Sequence, residues 1–300
     1  MKVWTLIANT LAAQGTCALV SVVKAEGSVP REEGARMVVT RDGFHGTIGG
    51  GTLEWKALAE AQRLLDKRTQ VKMLTQSLGP DLGQCCGGRV TLSIESFDAS
   101  SHAEARSLAA REAAGPFTLT NRLPGIVENF GERRRAVIVF GAGHVGRALI
   151  LSLAPLPFDV TWVDPRPQAF PGAMPQNATG FSGDPLEAVA AAPEGALVFI
   201  MSHSHALDLQ IVDAALRNLK IVHVGVIGSA TKRARFARRL REAGVDSARV
   251  EAMICPIGIG SIRSKLPAAI AVSVAAQLIT LDEALSVSAT HGMLAVRNAG

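Results

Sequence analysis

The chain contains no tyrosine and few other aromatic residues, which restricts the partners it can recognise. Aromatic residues make up 4% of the 300 residues and charged residues 19%, whereas 48% are hydrophobic. Proteins that bind nucleic acid usually combine a recognisable module with aromatic side chains on which bases stack. The sequence shows neither a module nor an aromatic-rich segment, so we expect no nucleic-acid partner.

Cysteine is also scarce, and long apolar runs are missing. The four cysteines, at positions 17, 85, 86 and 255, give no framework of paired spacings, which favours a reducing cytoplasm. Asn9, Thr10 and Gln14 interrupt the apolar N-terminal segment, unlike a signal peptide. No other segment approaches a membrane-spanning length of uninterrupted apolar residues. We therefore expect a soluble, cytoplasmic protein with no membrane association.

The formal net charge of +5 is unevenly distributed along the chain. Six basic residues crowd one short predicted helix: Lys232, Arg233, Arg235, Arg238, Arg239 and Arg241. Such a run is usually a solvated helix face. The alternative is a docking surface for phosphate or for an acidic protein partner.

The pattern of the chain predicts an α/β protein of two domains. A smaller α+β N-terminal domain (1–100) precedes a connection (101–134) and a C-terminal Rossmann-like domain with a doubly wound parallel sheet (135–300). In the first domain we predict strands at 16–25, 35–40, 71–75 and 89–97, and a helix from Thr52 to Lys67 with Thr52 as its N-cap.

A glycine fingerprint opens the second domain. The apolar run from Ala136 to Phe140 predicts a buried strand, and Gly141, Gly143 and Gly146 follow it directly before a helix. Glycines at this spacing permit a tight turn, close approach of a diphosphate and close helix packing. The next predicted strand ends in Asp164, where a dinucleotide complex would place a ribose hydroxyl, while Arg166 beside it could meet a phosphate instead.

Further polar residues follow the later strands of this sheet. His203 and His205 could share one face and bind a metal, but the spacing is not that of a zinc site. A more plausible interpretation is that one histidine contacts a ligand and the other caps the next helix. The turn Gly225 to Ser229 suits an anion, His144 is either a ligand contact or a variable turn position, and Cys255 is typical of a buried small residue.

The most distinctive segment is Gly83-Gln84-Cys85-Cys86-Gly87-Gly88. Adjacent cysteines framed by glycines fill no core and do not readily form a disulfide with each other. Such a segment can instead hold a thiolate where a bulky ligand approaches the backbone, so it predicts a soft-ligand or nucleophile loop. The alternative is a tight turn into the following strand, with incidental thiols.

Together these motifs resemble the XdhC/CoxI family over nearly the whole chain. The resemblance depends on segments 26–31, 34–37, 49–54 and 83–88 in the first domain and 140–146, 163–166 and 225–229 in the second. It implies a carrier of the molybdenum cofactor (molybdopterin) that keeps the cofactor available for sulfuration and assists its insertion into xanthine dehydrogenase. Such a chaperone is not primarily an enzyme.

The resemblance also implies site residues. Cys85 or Cys86 would hold the molybdenum, Gly49, Gly50 and Glu54 would line the same site, and Gly87, Gly88, Arg31 and Arg36 would meet the pterin phosphate. In the second domain the candidate ligand-binding residues are Gly141, Gly143, His144, Gly146, Asp164 and His203. Their occupant is a nucleotide such as NAD(P), the cofactor's own phosphate, or nothing.

The implied partners are the molybdenum-binding subunit of xanthine dehydrogenase, a cysteine desulfurase that sulfurates the cofactor, and a second copy of the chain in a homodimer. One segment departs from the family. Residues 262–269 carry basic and small residues where many relatives have acidic ones. That difference leaves open what role this segment has.

Two other functions are compatible with the sequence. An NAD(P)-dependent oxidoreductase would use Asp164 and Arg166 for its cofactor and His203 or His205 for acid–base chemistry. A pure scaffold would keep the nucleotide-type fold without a ligand, since fold alone does not determine function.

Overall fold

In a computed structural model the chain divides into two units, Met1–Arg133 and Arg134–Gly300. The structure describes residues 1–65, 67, 70–79, 87–131, 134–166 and 168–297. Each unit has its own sheet and its own buried clusters, so each is described by itself.

The first unit is built on a five-stranded antiparallel sheet. Its strands are β1 (Thr16–Glu26), β2 (Arg36–Val39), β3 (Phe44–Gly46), β4 (Val71–Ser77) and β5 (Arg89–Asp98), in the order β3-β2-β1-β5-β4. Its helices are α1 (Val3–Gln14), α2 (Gly51–Leu64) and α3 (His102–Ala114), with a 3-10 turn at Ala99–Ser101. The four strands predicted from the sequence are therefore confirmed.

Helices cover both faces of this sheet. On one face Ala18, Val20 and Val22 of β1 join a buried cluster with α2, and on the other Cys17 and Leu19 join a cluster with α1 and α3. The first seven residues of β1 are all buried as a result. This explains why the strand reads as a continuous apolar run rather than as an alternating one.

Helix α2 begins and ends earlier than we predicted. Its N-cap is Gly50, which has a φ of 74°, and not Thr52, which lies within the first turn. The chain enters the helix through three successive glycines with positive φ, 122° at Gly49, 74° at Gly50 and 64° at Gly51. A residue with a Cβ rarely adopts this conformation, so the entry to α2 requires glycine.

Residues 101–131 of the expected connection at 101–134 belong instead to the first unit. Besides α3 they form a hairpin of β6 (Phe117–Leu123) and β7 (Ile126–Phe130). Phe130 is buried, and its ring centroid lies 5.2 Å from that of Trp4 in α1. Because the hairpin contributes to the core, it cannot act as a linker.

Buried charges join these elements. Glu112 of α3 accepts hydrogen bonds from the backbone N–H groups of Val3 (2.8 Å), Trp4 (3.0 Å) and Thr5 (3.2 Å) at the start of α1. Arg122 of the hairpin pairs with Glu95 and Glu128, and burial lowers its pKa. A carboxylate at a helix N-terminus satisfies N–H groups that have no acceptor within the helix.

The second unit is a parallel sheet with the order β10-β9-β8-β11-β12. Its strands are β8 (Arg135–Phe140), β9 (Phe158–Val163), β10 (Ala178–Phe181), β11 (Ala196–Ile200) and β12 (Ile221–Val226). Its helices are α4 (His144–Leu153), α5 (Pro185–Ala190), α6 (His205–Arg217), α7 (Ala230–Glu242), α8 (Ser247–Ala252) and α9 (Pro267–Arg297). The predicted doubly wound fold is confirmed, and the strand order reverses beside β8, where such sheets bind ligands.

Helix α9 contains a stretch we did not anticipate. Pro267–Ser286 is long and apolar enough to cross a membrane by length and composition, with a mean hydropathy of 1.5. Its residues Ala271, Val274, Ala275 and Leu278 are buried in one cluster with α4. One face of this helix is therefore part of the core of the second unit.

We predict that Glu112→Ala lowers the free energy of unfolding by about 3 kcal/mol, because three N–H groups of α1 lose a charged acceptor. Urea unfolding followed by circular dichroism measures the difference. Glu104→Ala, at an exposed site in the first turn of the same helix, is the control and should change the value by no more than about 0.5 kcal/mol. Equal losses in the two variants would contradict the role of Glu112.

Candidate functional site

Two glycines of the first unit pack directly against the turn that follows β1. The N–H of Gly88 donates to the carbonyl oxygen of Ser28 at 3.0 Å. A Cβ at Gly88 would lie 2.4 Å from that oxygen and 2.5 Å from the carbonyl oxygen of Glu26. A Cβ at Gly49 would lie 2.6 Å from Cγ of Pro30. The turn at 26–31 thus contacts Gly49 of the 49–54 motif and Gly88, the last residue of the 83–88 motif, and neither glycine has room for a Cβ.

Two other glycines of the same motifs face open space. A Cβ built on Gly50 or Gly87 has no heavy atom of the described residues within 4 Å, and Gly87 is exposed. Next to the tightly packed positions, these two leave the backbone accessible. We refer to residues 47–50 together with Gly87 and Gly88, which adjoin the turn at 26–31, as the cradle.

Glu54 holds one wall of this cradle. Its Oε2 accepts hydrogen bonds from Thr47 Oγ1 (2.5 Å), Ile48 N (2.9 Å) and Gly50 N (3.2 Å). Three donors on one oxygen fix the loop that leads into α2. The contacts observed for Glu54 are therefore to its own loop.

The two candidate arginines have different surroundings. Arg31 is exposed and lines a cavity of about 470 Å³ together with Pro30 and residues 32–35. Arg36 donates to the carbonyl oxygens of Asn129 (2.8 Å) and Gly34 (3.3 Å), and its guanidinium lies 3.9 Å from the ring centre of Phe130. Burial lowers the pKa of Arg36. Arg31 is thus available to an anion, whereas Arg36 attaches the β1–β2 loop to the hairpin.

Cys85 and Cys86 lie outside the described residues, so their predicted role stays a prediction. For the other two cysteines, the thiol pKa and burial show how readily each can form the thiolate that a metal ligand requires. Burial raises the pKa of Cys17 to about 12 and also raises that of Cys255. Both thiols are buried, as we predicted for Cys255. A thiolate is the form that binds metals, and these two sites disfavour it.

In the second unit the predicted glycine turn is present and tightly packed. A Cβ at Gly141 would lie 2.5 Å from the carbonyl oxygen of Met201, and one at Gly146 would lie 2.0 Å from the carbonyl oxygen of Gly141. Gly143 is the N-cap of α4, and a Cβ there has no neighbour within 4 Å in the part of the chain that the structure describes. The first and third glycines therefore serve the packing, while the middle one leaves room for a ligand.

Asp164 makes contacts that the sequence did not predict. Its Oδ2 accepts from Ala142 N and Arg166 Nη2, and its Oδ1 accepts from Arg166 N and Nε, at 2.8 to 3.1 Å. Burial by itself raises the pKa of Asp164, but hydrogen bonds from Arg166 and Ala142 together outweigh it and hold the value at about 2. Both carboxylate oxygens are thus already bonded to the turn and to Arg166.

A cavity of about 640 Å³ opens beside this turn. Its lining comprises Ala142, Gly143, His144, Arg147, Arg166, Gln168 and Ala169. Arg147 is anchored by the carbonyl oxygens of Ala142 (3.2 Å) and Ala169 (2.9 Å). His144 is exposed at the first position of α4, consistent with a ligand contact.

The histidines after β11 do not form the predicted cap. Ser204, not a histidine, caps α6 by accepting from Leu207 N at 3.3 Å. His203 is exposed, and Nδ1 of His205 lies 3.0 Å from Nη2 of Arg235. Among the residues that the structure describes, no group of three or more His, Cys, Asp or Glu side chains could hold a metal ion.

A buried ion pair beyond these strands was missed from the sequence. Nζ of Lys232 lies 2.6 Å from Oδ2 of Asp208 and 2.8 Å from the carbonyl oxygen of Ile227. Oδ1 of Asp208 accepts from Ser202 Oγ at 2.6 Å. The pair ties the loop after β11 to the loop after β12. In the sequence, the only indication of this ion pair is that an acid and a lysine stand in the first turns of successive helices. That pattern alone is weak evidence for a contact.

Lys232 therefore differs from the other basic residues of α7, because it is buried in this ion pair. Arg233 and Arg241 pair with Glu251 of α8, and Arg238 pairs with Glu242. These partners compensate part of the charge within the unit. The contacts support the interpretation of this helix as a solvated face.

Comparison with known proteins gives two family matches. The XdhC Rossmann domain matches residues 137–278, and the XdhC and CoxI family matches residues 10–76. The uncharacterized protein YqeB of Escherichia coli strain K12 is 28% identical over 271 residues, which are 87% of this chain and 43% of that protein. The chain thus spans less than half the length of this curated relative.

A solved structure shares the fold. The crystal structure described as that of a xanthine dehydrogenase from Bacillus halodurans matches with a TM-score of 0.76 at 19% identity. The match covers 94% of this chain and 96% of that one. At this identity the likeness establishes the fold only.

We predict that Asp164→Asn destabilises the protein by about 1–3 kcal/mol at neutral pH, because Arg166 and the glycine turn lose a charged acceptor. The folded-state pKa of about 2 is below the usual value, so the contribution is complete above pH ~4 and is lost as the pH falls towards 2. Unfolding at several pH values, for wild type and variant, measures this. Asp213→Asn, which removes a surface pair with Arg217, should change stability by about 0.5 kcal/mol or less. A difference between wild type and Asp164→Asn that does not shrink in acid would refute the assignment.

Proposed function

Because the chain belongs to the XdhC and CoxI family, we propose that it is an accessory protein that carries the molybdenum cofactor for xanthine dehydrogenase. The observation that supports this most is the meeting of three motifs around the turn at 26–31, where Gly49 and Gly88 leave no room for a Cβ. Packing accounts for Gly49 and Gly88, whereas Gly50 and Gly87 have no neighbour at the Cβ position among the described residues, and this open backbone supports a ligand there.

The cradle in the first unit fits such a group. Gly50 and Gly87 leave the main chain open where a flat pterin would lie. Arg31 is exposed at the neighbouring cavity and would meet the phosphate with a charge-assisted hydrogen bond. Glu54 and Arg36 would act as positioning residues, since one fixes the loop before α2 and the other fixes the β1–β2 loop.

The metal would be held by sulfur from Cys85 and Cys86. Of the four cysteines, Cys17 and Cys255 are buried with raised pKa values. The two adjacent cysteines are therefore the candidates that remain for a thiolate ligand, and thiolate is a soft donor suited to this metal. When bound, the cofactor supplies a metal centre that accepts a sulfur ligand before insertion.

The partners follow from this role. A carrier must meet the molybdenum-binding subunit of xanthine dehydrogenase, and we propose that it also meets a cysteine desulfurase and forms a homodimer. In the segment that departs from the family (262–269), residues 262–268 are exposed and so are accessible to a partner. Such a protein holds and releases its cargo without turnover, and the oxidoreductase alternative is supported only by the turn and cavity of the second unit.

We predict that the double variant Cys85→Ala, Cys86→Ala retains no more than about one tenth of the molybdenum that the wild type retains. This corresponds to a loss of about 1.4 kcal/mol or more of binding free energy. Protein mixed with the cofactor under anaerobic conditions is passed through gel filtration, and molybdenum is then measured by mass spectrometry. Cys17→Ala, which removes a buried thiol, is the control and should retain wild-type amounts. Equal retention by the double variant would remove the proposal that sulfur holds the metal.

We also predict that Gly87→Leu weakens cofactor retention without loss of stability, because the added side chain enters open space in the cradle. Gly172→Leu is the matched control, since Gly172 is exposed in the second unit and also has nothing within 4 Å of its Cβ position. Molybdenum retention and thermal unfolding are measured for both variants. Equal retention by the two variants would contradict the placement of the cradle.

A further inference from the structure

The cavity of the second unit differs from a site that binds an unmodified ribose. In dinucleotide-binding folds the acid at the end of the second strand accepts hydrogen bonds from ribose hydroxyls. Here that acid is Asp164, which is buried and accepts four hydrogen bonds from Ala142 and Arg166. A ribose diol would have to displace Arg166 and leave its guanidinium without this partner.

We propose that this cavity binds its ligand through a phosphate monoester rather than through a ribose diol. The cavity of about 640 Å³ is large enough for a nucleotide-sized group, and Arg147 and Arg166 both line it. The inference concerns the second unit and does not depend on the cofactor proposed for the first.

The charges around the cavity support an anionic ligand. Arg147 is held by two carbonyl oxygens, and within the described part of the chain no carboxylate pairs with it. Arg166 pairs with Asp164 but has a side chain that is 55% exposed, so its outer edge can still donate to phosphate. The cavity thus combines two guanidinium groups with one carboxylate that is already saturated.

The start of α4 adds donors on the same side. Gly143 is its N-cap and provides no side-chain hydrogen bond, and the helix runs for 10 residues. The first N–H groups of a helix have no intrahelical acceptor and carry partial positive charge. Gly143 also leaves open space for the ligand at this end.

Two ligands carry the required chemistry. One is a dinucleotide with a 2′-phosphate on its adenosine ribose, as in NADPH, and the other is a pterin phosphate that binds in this cavity instead of at Arg31. NADH has the same size and diphosphate as NADPH but presents a ribose diol, so it is the discriminating probe.

Equilibrium dialysis of the full chain with NADPH and with NADH tests the inference. We expect NADPH to bind at least about tenfold more tightly, and the preference to disappear in Arg166→Met. Arg147→Met should lower the affinity for NADPH in the same assay. The test therefore does not depend on a single variant. Arg238→Met, an exposed arginine of α7 paired with Glu242, is the control and should leave binding unchanged. Circular dichroism and thermal unfolding verify that each variant folds.

A second arm identifies the source of the phosphate. Intact cofactor and cofactor treated with phosphatase are compared for binding to wild type, Arg147→Met and Arg166→Met. Loss of affinity on phosphatase treatment, abolished in the arginine variants, would assign the cavity to the pterin phosphate even if neither dinucleotide binds. The inference would be overturned if phosphate had no effect in either arm, that is, if NADH and NADPH bound equally and phosphatase treatment of the cofactor did not change its affinity. Because the readout is the dependence on Arg147 and Arg166, it is separate from the cysteine test of the first unit.

Discussion

The first unit depends on two close approaches to the turn at 26–31: Gly88 packs against the main chain of Glu26 and Ser28, and Gly49 packs against the ring of Pro30. Gly88 directly precedes β5 and Gly49 directly precedes the N-cap of α2, and neither glycine has space for a Cβ against this turn. Because the sheet places β1 at its centre, segments far apart in sequence meet at one end of that strand. The same contacts that close the core also bring the family motifs together, so the fold and the candidate site have one physical origin.

The second unit uses a carboxylate for a comparable purpose. Asp164 stands at the end of β9, where sequence reasoning expects a ligand contact, yet its oxygens bind the glycine turn and Arg166. The acid therefore orders the site instead of receiving the ligand. In the site we propose, the ligand is therefore bound by the guanidinium groups of Arg147 and Arg166. The glycine turn and the acid after β9 follow the pattern of a ribose-binding site, but the proposed ligand group is a phosphate.

Much of the fold could be predicted because its signals are local. The run from Ala136 to Phe140 and the glycines after it identify β8 and the start of α4 within a few residues. The hairpin of β6 and β7 was missed because its strands are short and polar, with Pro124 and Gly125 suggesting a connection. The contacts of Arg36 could not be predicted from the sequence, because its partner Asn129 is 93 residues away along the chain. The ion pair of Asp208 and Lys232 depends on topology in the same way.

That ion pair has a consequence for how the sequence can vary. Asp208 and Lys232 are both buried, so loss of either one leaves a charge without compensation, which typically costs several kcal/mol. Replacement of both by apolar residues of similar volume carries no such penalty. We therefore expect substitutions at positions 208 and 232 to occur together during evolution. A protein that has lost one of the two charges is destabilised until the other charge is also replaced.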